Sequence, residues 1–247
     1  MTNKEMWDKN GFIQIDNILS QSELEIVAQI CDRLLNGNYD TEGLRSDLSG
    51  KSDSANQELI TQIMCPSSLD SEFLNLPHFK KTRKIAIEIL GDDIDVDFDM
   101  IINKRPNTTT ETPWHQDAAY WPSLEDKRAC SFWIALDDVN QENGCMMYIG
   151  SSHQSGVLRK HEFAHAGGAL KTSVSQDEEI YFGELRKGST IGHHGHTVHG
   201  ALGNQSNINQ RRAWIINYRP IPMIKQMRDL GYNHTGKRKI LVDCNRE

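Results

Sequence analysis

The sequence predicts a mainly β fold, a double-stranded β-helix of the jelly-roll or cupin-like kind, with α-helices packed on its outside. Three observations carry this expectation. Two stretches in the first 90 residues place apolar residues at helical spacing, and most of the chain that follows runs as short alternating or apolar segments separated by turn residues. No Pro/Gly/Ser-rich linker, internal repeat or low-complexity tract divides the chain. At 247 residues it can bury a full core as a single domain over residues 1–247, because barrels and sandwiches reach this size undivided.

Taken in order, Gly11-Phe12-Ile13-Gln14-Ile15 alternates and reads as a strand. Ser20-Gln21-Ser22-Glu23 has the spacing of a capping box. Leu24, Val27, Ala28, Cys31 and Leu34 or Leu35 then recur with helical period, which predicts a helix from about Ser22 to Leu35 with Gly37 near its C-terminal cap. Residues 38–56, rich in Asp, Ser, Gly and Asn, read as a loop. Leu59 to Met64 is apolar enough to be buried, so Gln62 within it needs a hydrogen-bond partner, either backbone or a ligand. A second helix is expected over Pro77 to Leu90, with Phe79, Thr82, Ala86 and Ile89 on one side and Gly91 closing it. From Val96 the period becomes two: Val96, Phe98, Met100 and Ile102 alternate with Asp97, Asp99, Ile101 and Asn103.

A loop from Pro106 to Pro113 delivers the chain to Trp114-His115-Gln116-Asp117. In an extended segment side chains alternate faces, so His115 and Asp117 point the same way and Gln116 points away. A helix would separate the same pair by roughly 200°. Cys130 to Leu136 reads as a buried strand, Asp137 to Gly144 as a turn, and Cys145 to Ile149 as the returning strand. Ser151 to Glu179 loses periodicity, and its length and position make it a candidate lid over a substrate. Gly183 to His194 resumes as one or two strands, and His199-Gly200 opens a turn. Arg211 to Tyr218 is the last strand, with Arg211, Ala213, Ile215 and Asn217 on one face and Arg212, Trp214, Ile216 and Tyr218 on the other. A short helical pattern follows around Met223 to Leu230.

The formal net charge of −7, with basic residues scattered apart from Lys237, Arg238 and Lys239, is the wrong balance for a nucleic-acid binder. No apolar run is long enough to cross a bilayer, and the N-terminus lacks an apolar signal core, so no membrane partner is expected. Five widely spaced cysteines, Cys31, Cys65, Cys130, Cys145 and Cys244, without a Cys-x-x-Cys, indicate neither a disulfide framework nor structural zinc and point to the cytoplasm.

If His115, Asp117 and His199 converge on one metal, two imidazoles and a carboxylate hold three positions on one face. That is the facial triad of non-haem Fe(II) oxygenases. His193, His194 and His196 crowd the approach to His199. Alternation puts His194 and His196 on a common face, His194 is the reserve ligand, and His153, His161, His165 and His234 read as loop or surface residues.

The ordered set His115-Gln116-Asp117, Tyr120-Trp121-Pro122, Trp133-Ile134-Ala135-Leu136, Glu142-Asn143-Gly144-Cys145, Gly150-Ser151-Ser152-His153, Gly188-Ser189-Thr190, His199-Gly200, Asn204 and Arg211-Arg212-Ala213 resembles the phytanoyl-CoA dioxygenase family of Fe(II)/2-oxoglutarate oxygenases. The resemblance implies His115 and Asp117 as proximal and His199 as distal iron ligands. It implies Arg211 as the partner of the C5 carboxylate of 2-oxoglutarate, and Trp133, Met100 and Gln62 as residues lining the cosubstrate. Ala201 and Ser189 depart from the Ser and Asp usual in the family, and the slightly long stretch from Asn204 to Arg211 leaves Arg212 as the rival of Arg211. Strand alternation lets only one of the two face the metal. Fe(II), 2-oxoglutarate and O₂ are the implied cofactors, a small molecule the implied substrate, and oxidation with release of succinate and CO₂ the implied reaction. Because Asp117 is a carboxylate and not Gly or Ala, hydroxylation is expected in preference to halogenation. Two other readings use the same ligands: a catalytically silent cupin-like metal-binding or sensor protein, and a zinc hydrolase with an activated water.

Overall fold

A computed structural model describes residues 1–49, 58–164 and 169–234. His165, Cys244, the Lys237–Lys239 cluster and part of the 38–56 loop lie outside the described residues. The elements are α1 (Asn3–Asn10), β1 (Phe12–Ile15), α2 (Gln21–Leu35), β2 (Arg45–Asp47), β3 (Ile60–Met64), α3 (Pro77–Leu90) and β4 (Ile94–Lys104). They continue with β5 (Thr112–His115), β6 (Cys130–Ala135), β7 (Met146–Ile149), β8 (Glu162–Phe163), β9 (Leu170–Lys171), β10 (Ile180–Gly183), β11 (Thr190–His194), β12 (His199–Ala201), β13 (Arg211–Pro220) and α4 (Ile221–Asp229).

The helices end where their side chains can satisfy the free backbone groups. Ser20 Oγ accepts the Glu23 N–H at 3.3 Å while Glu23 accepts the Ser20 N–H at 2.7 Å, a reciprocal cap of the kind worth about 1 kcal/mol. Helix α3 starts on Pro77, whose missing N–H costs nothing in the first turn, and stops at Gly91 with φ of 108°. Helix α1 was not expected. It has only eight residues, too few for a period to register, and is set by a Thr2–Glu5 capping box and by burial of Trp7.

Seven strands form one antiparallel sheet in the order β1-β11-β6-β13-β4-β3-β2, and four form a second in the order β10-β7-β12-β5. Strand alternation divides the large sheet. Phe132, Ile134, Trp214 and Ile216 pack outward against Leu24, Val27, Phe79 and Ile89 of the helices. Trp133, Ala135, Ala213 and Ile215 pack inward against Met146, Tyr148 and Ala201 of the small sheet. The expected double sheet braced by helices is therefore present. The four described cysteines are free and buried. No helix among the described residues is long and apolar enough to cross a membrane.

Three local expectations change. His199-Gly200 lies inside a strand paired on both sides, because β5 and β7 take up its backbone groups. Among the described residues of the 151–179 segment, β8 pairs antiparallel with β9. A register shift between Asn217 and Tyr218 in the β13–β4 pair reverses the parity of β4, so Val96 packs towards the helices.

Candidate active site

His199 of β12 and His115 of β5 are direct register partners, which is why two residues far apart in sequence have ring centroids 4.3 Å apart. Gly200 permits this closeness, since a Cβ there would meet the Thr112 carbonyl oxygen of β5 at 2.9 Å. Both rings are set the same way. His115 Nδ1 donates to the Pro113 carbonyl at 2.8 Å and His199 Nδ1 to the Thr197 carbonyl at 3.0 Å, which leaves each Nε2 as a lone-pair donor. Burial, then repulsion from His115 and His193, pushes His199 well below the ordinary imidazole value despite Asp117 nearby, so its ring is neutral.

Asp117 begins a 3-10 turn, Asp117–Tyr120, while Gln116 before it keeps extended backbone (φ −119°, ψ 127°). The expected sharing of a face thus holds across the strand end. Asp117 Oδ1 lies 3.5 Å from both His115 Nε2 and His199 Nε2. Burial by itself would raise its carboxyl, but His199, His115 and His193 outweigh that and hold it well below the usual carboxylate range. Gln116 points away and is fully buried. Its Nε2 donates to the His196 carbonyl at 2.7 Å, and its Oε1 accepts the Arg159 N–H at 2.7 Å. The three ligand atoms of His115, Asp117 and His199 lie within 4.8 Å of one another. Two imidazoles presenting Nε2 and one ionised carboxylate, all three aimed at one point, fit a ferrous ion.

These residues open into a cavity of about 340 Å³, at the small end of the range for small-molecule sites. Arg211, Trp133, Met100 and Gln62 line the same cavity, so all seven sequence-predicted residues meet there. Arg211 is 2% exposed and has no carboxylate partner among the described residues. Its guanidinium carbon sits 5.2 Å from the Trp133 ring centroid, and burial lowers it only to about 10, so it stays charged at neutral pH. Arg211 Nε, Trp133 Nε1 and the Tyr148 hydroxyl are buried with no hydrogen-bond partner among the described residues. Arg212 projects from the other face of β13 into Asp137 at 2.6 Å and Asp32 at 2.5 Å. Among the described residues Gln62 Nε2 meets the Met100 sulfur at 3.5 Å and Gln62 Oε1 accepts from Ser46 Oγ at 3.4 Å, so side chains and not backbone partner this amide at the cavity wall.

Several site residues escaped sequence reasoning. His193, and not His194 or His196, reaches Asp117, at 3.3 Å. His194 faces outward and lies against Trp7, with centroids 5.7 Å apart. His161 lies in a loop, half-buried, and its Nε2 accepts the Gln116 N–H at 3.1 Å. His234 is also buried, stacked on Phe98 with centroids 3.8 Å apart and bonded to Asp97 at 2.9 Å. With Tyr232 it forms a wall of the cavity. That wall is latched by Asp97, which pairs with Arg219 and, at 2.5 Å, with Arg228. The candidate lid is knit to the metal loop: Leu170 N–H donates to the Tyr120 hydroxyl at 2.8 Å, and Thr172 N–H to the Trp114 carbonyl at 2.7 Å.

Comparison with known proteins gives a consistent result. The family model described as phytanoyl-CoA dioxygenase (PhyH) matches residues 7–213. The chain is 23% identical over 215 residues to the peroxisomal phytanoyl-CoA dioxygenase of Bos taurus, covering 82% of this chain and 64% of that protein, so it spans a little under two thirds of that relative's length. Phytanoyl-CoA dioxygenase domain-containing protein 1 of Bos taurus is 33% identical over 154 residues, covering 60% of this chain and 52% of that protein. Among solved structures, EvdO2 from Micromonospora carbonacea var. aurantiaca complexed with 2-oxoglutarate superposes with a TM-score of 0.71 at 28% identity, covering 87% of this chain and 89% of that one.

Proposed function

The chain belongs to the phytanoyl-CoA dioxygenase family, and from that premise we propose that it is an Fe(II)- and 2-oxoglutarate-dependent dioxygenase that hydroxylates an unactivated C–H bond of a small molecule. One observation carries this reading beyond family membership. A buried, charged guanidinium with no anionic partner among the described residues opens onto the cavity that holds the His115, Asp117 and His199 donors. An unpaired buried charge is too costly for a fold to keep without use, and a ligand carboxylate supplies the missing partner.

When bound, Fe(II) supplies the positions for a chelating keto acid and for O₂, and with them the oxidative decarboxylation of 2-oxoglutarate to succinate and CO₂. The protein's part is binding and orientation. His115 and His199 present Nε2 because backbone carbonyls hold their Nδ1 protons. Arg211 takes the far carboxylate with a planar fork that stays protonated. Trp133 braces that fork from the side, and Met100 and Gln62 line the path to it. Asp117 would hold the metal position that a halide could otherwise take, so an oxygenated and not a chlorinated product is expected.

Tyr120, Trp121, Tyr232 and His234 line the cavity together with Ala169 of the 151–179 segment, and this is where the substrate is expected to lie. A metabolite-library screen for substrate-stimulated succinate formation, with His115→Ala as the blank, tests the reading. Absence of both stimulated and uncoupled 2-oxoglutarate decay from the iron-loaded wild type would leave the silent metal binder in its place. A zinc requirement without 2-oxoglutarate would leave the hydrolase.

A further inference from the structure

On the inner face of the large sheet, apart from Arg211 and Gln62, one polar row crosses adjacent strands. His193 of β11 pairs in register with Ser131 of β6, and Ser131 pairs in register with Asn217 of β13. Three polar residues, 3%, 2% and 2% exposed, therefore stand side by side on adjacent strands, facing Asp117. The row is expensive for folding. His193 Nδ1 and Asn217 Nδ2 are buried without partners among the described residues, and each such group costs as much as a lost hydrogen bond or more.

What the row contacts is the second oxygen of the metal-facing carboxylate. Ser131 Oγ lies 3.1 Å and His193 Nε2 3.3 Å from Asp117 Oδ2, whereas Oδ1 is the oxygen directed at His115 and His199. Ser131 Oγ also lies 2.5 Å from Asn217 Oδ1 and would have to donate to it as well. A hydroxyl has one proton. Turning the amide so that Nδ2 faces Ser131 satisfies the buried donor and leaves the Ser131 proton for Asp117.

We infer that His193 and Ser131, backed by Asn217, are positioning residues that hold Oδ2 of Asp117 off the metal and so make the carboxylate a one-oxygen ligand. The inference rests on the metal reading of the His115, Asp117 and His199 cluster. Its consequence is a coordination count. A carboxylate free to turn would bring both oxygens onto the ion and occupy one of the three positions needed by a chelating keto acid and O₂. Metal ligands are commonly oriented by such outer partners, whose removal costs about 10–100-fold in metal affinity.

The test uses Co(II) as the probe, under anaerobic conditions, with affinity measured against a chromophoric chelator and coordination read from the visible spectrum. The variants are His193→Leu, Ser131→Ala and, as rescue, His193→Gln, which restores a donor. His193→Leu and Ser131→Ala are expected to weaken Co(II) binding about 10–100-fold and to alter the spectral change produced by added 2-oxoglutarate. His193→Gln is expected to recover to within a few-fold, with the urea midpoint of metal-free His193→Leu equal to wild type or higher. Unchanged Co(II) affinity and spectra in His193→Leu and Ser131→Ala would overturn the inference. A loss that follows falling metal-free stability and is not rescued by Gln would do the same. Wild-type protein that binds Co(II) but not 2-oxoglutarate would overturn the proposed function alone, since the affinity comparison still reads the row. Wild type that binds no Co(II) would overturn both.

Discussion

Replacing Arg211 with Met separates the cost of the site from its use, because the two effects have opposite signs. Met keeps most of the apolar stem and removes every donor. In the metal-free protein the guanidinium is buried without a carboxylate, and desolvating such a charge costs several kcal/mol, against roughly 0.5–2 kcal/mol returned by the Trp133 ring. Metal-free Arg211→Met is therefore expected to be as stable as wild type or more so, by urea denaturation. With 2-oxoglutarate bound, the same change breaks a buried, hydrogen-bonded charge pair worth about 2–5 kcal/mol. At about 1.4 kcal/mol per tenfold, that is a rise in the 2-oxoglutarate Kd of roughly 30- to several-thousand-fold. Calorimetric titration of Mn(II)-loaded protein measures it, and Arg211→Lys, which keeps charge but loses the planar fork, should fall between. A Kd within threefold of wild type, or loss of more than about 2 kcal/mol of metal-free stability, would show that this guanidinium serves the fold and not a ligand.

Gly200→Ala places a Cβ 2.9 Å from the Thr112 carbonyl oxygen and should push β12 off β5, weakening Co(II) binding by roughly 5- to 150-fold, as overpacking by about 1–3 kcal/mol implies; unchanged affinity would mean that β12 does not set the His115–His199 spacing. Burial lowers His78, His194 and His196 to about 3, 3 and 4 from the ordinary 6.5, so between those values the unfolded chain binds more protons and stability rises with pH. Each group then loses about 2 kcal/mol between pH 7 and pH 5. Burial raises Asp99 to about 6, so it alone of these four groups works in the opposite direction over that window. The urea midpoint should fall from pH 7 to pH 5, and His78→Phe, which removes two ring nitrogens unpartnered among the described residues and packed on Phe79 and Trp214, should raise it and flatten the dependence. A midpoint constant across that range would contradict the assignment. Asp97→Asn leaves Arg219 and Arg228 without their shared counter-charge and should cost about 3–5 kcal/mol, with faster amide exchange over residues 230–234; a loss under about 1 kcal/mol would mean the latch is not under load.

Legibility followed the range of the interaction that decides each feature. Helix α3 runs from Pro77 to Leu90, the span expected, because Pro at its first position and Gly after its last are local signals. The common face of His115 and Asp117 and the opposite faces of Arg211 and Arg212 follow from backbone alternation within a few residues. Parity alone failed among the clustered histidines. His194 and His196 share a face as expected, but the face turned to Asp117 carries His193, and only the pairing of β11 with β6 decides that. The Tyr232–His234 wall was equally hidden. It lies beyond the 7–213 segment matched by the family and is held by Asp97, 135 residues upstream of Tyr232, through an ion-pair cluster that no local pattern announces.

The sequence by itself determined which donors exist, that His115 and Asp117 face one way, and that a β-rich double sheet would carry them, since these depend on side-chain chemistry and on periods of two and 3.6. Tertiary structure alone decided that His199 lies opposite His115, that Arg211 is buried without a partner among the described residues, and that His193, Ser131 and Asn217 line up behind Asp117. Those relations are set by the register between strands distant in the chain. A slip of one residue there would turn each of these side chains to the other face.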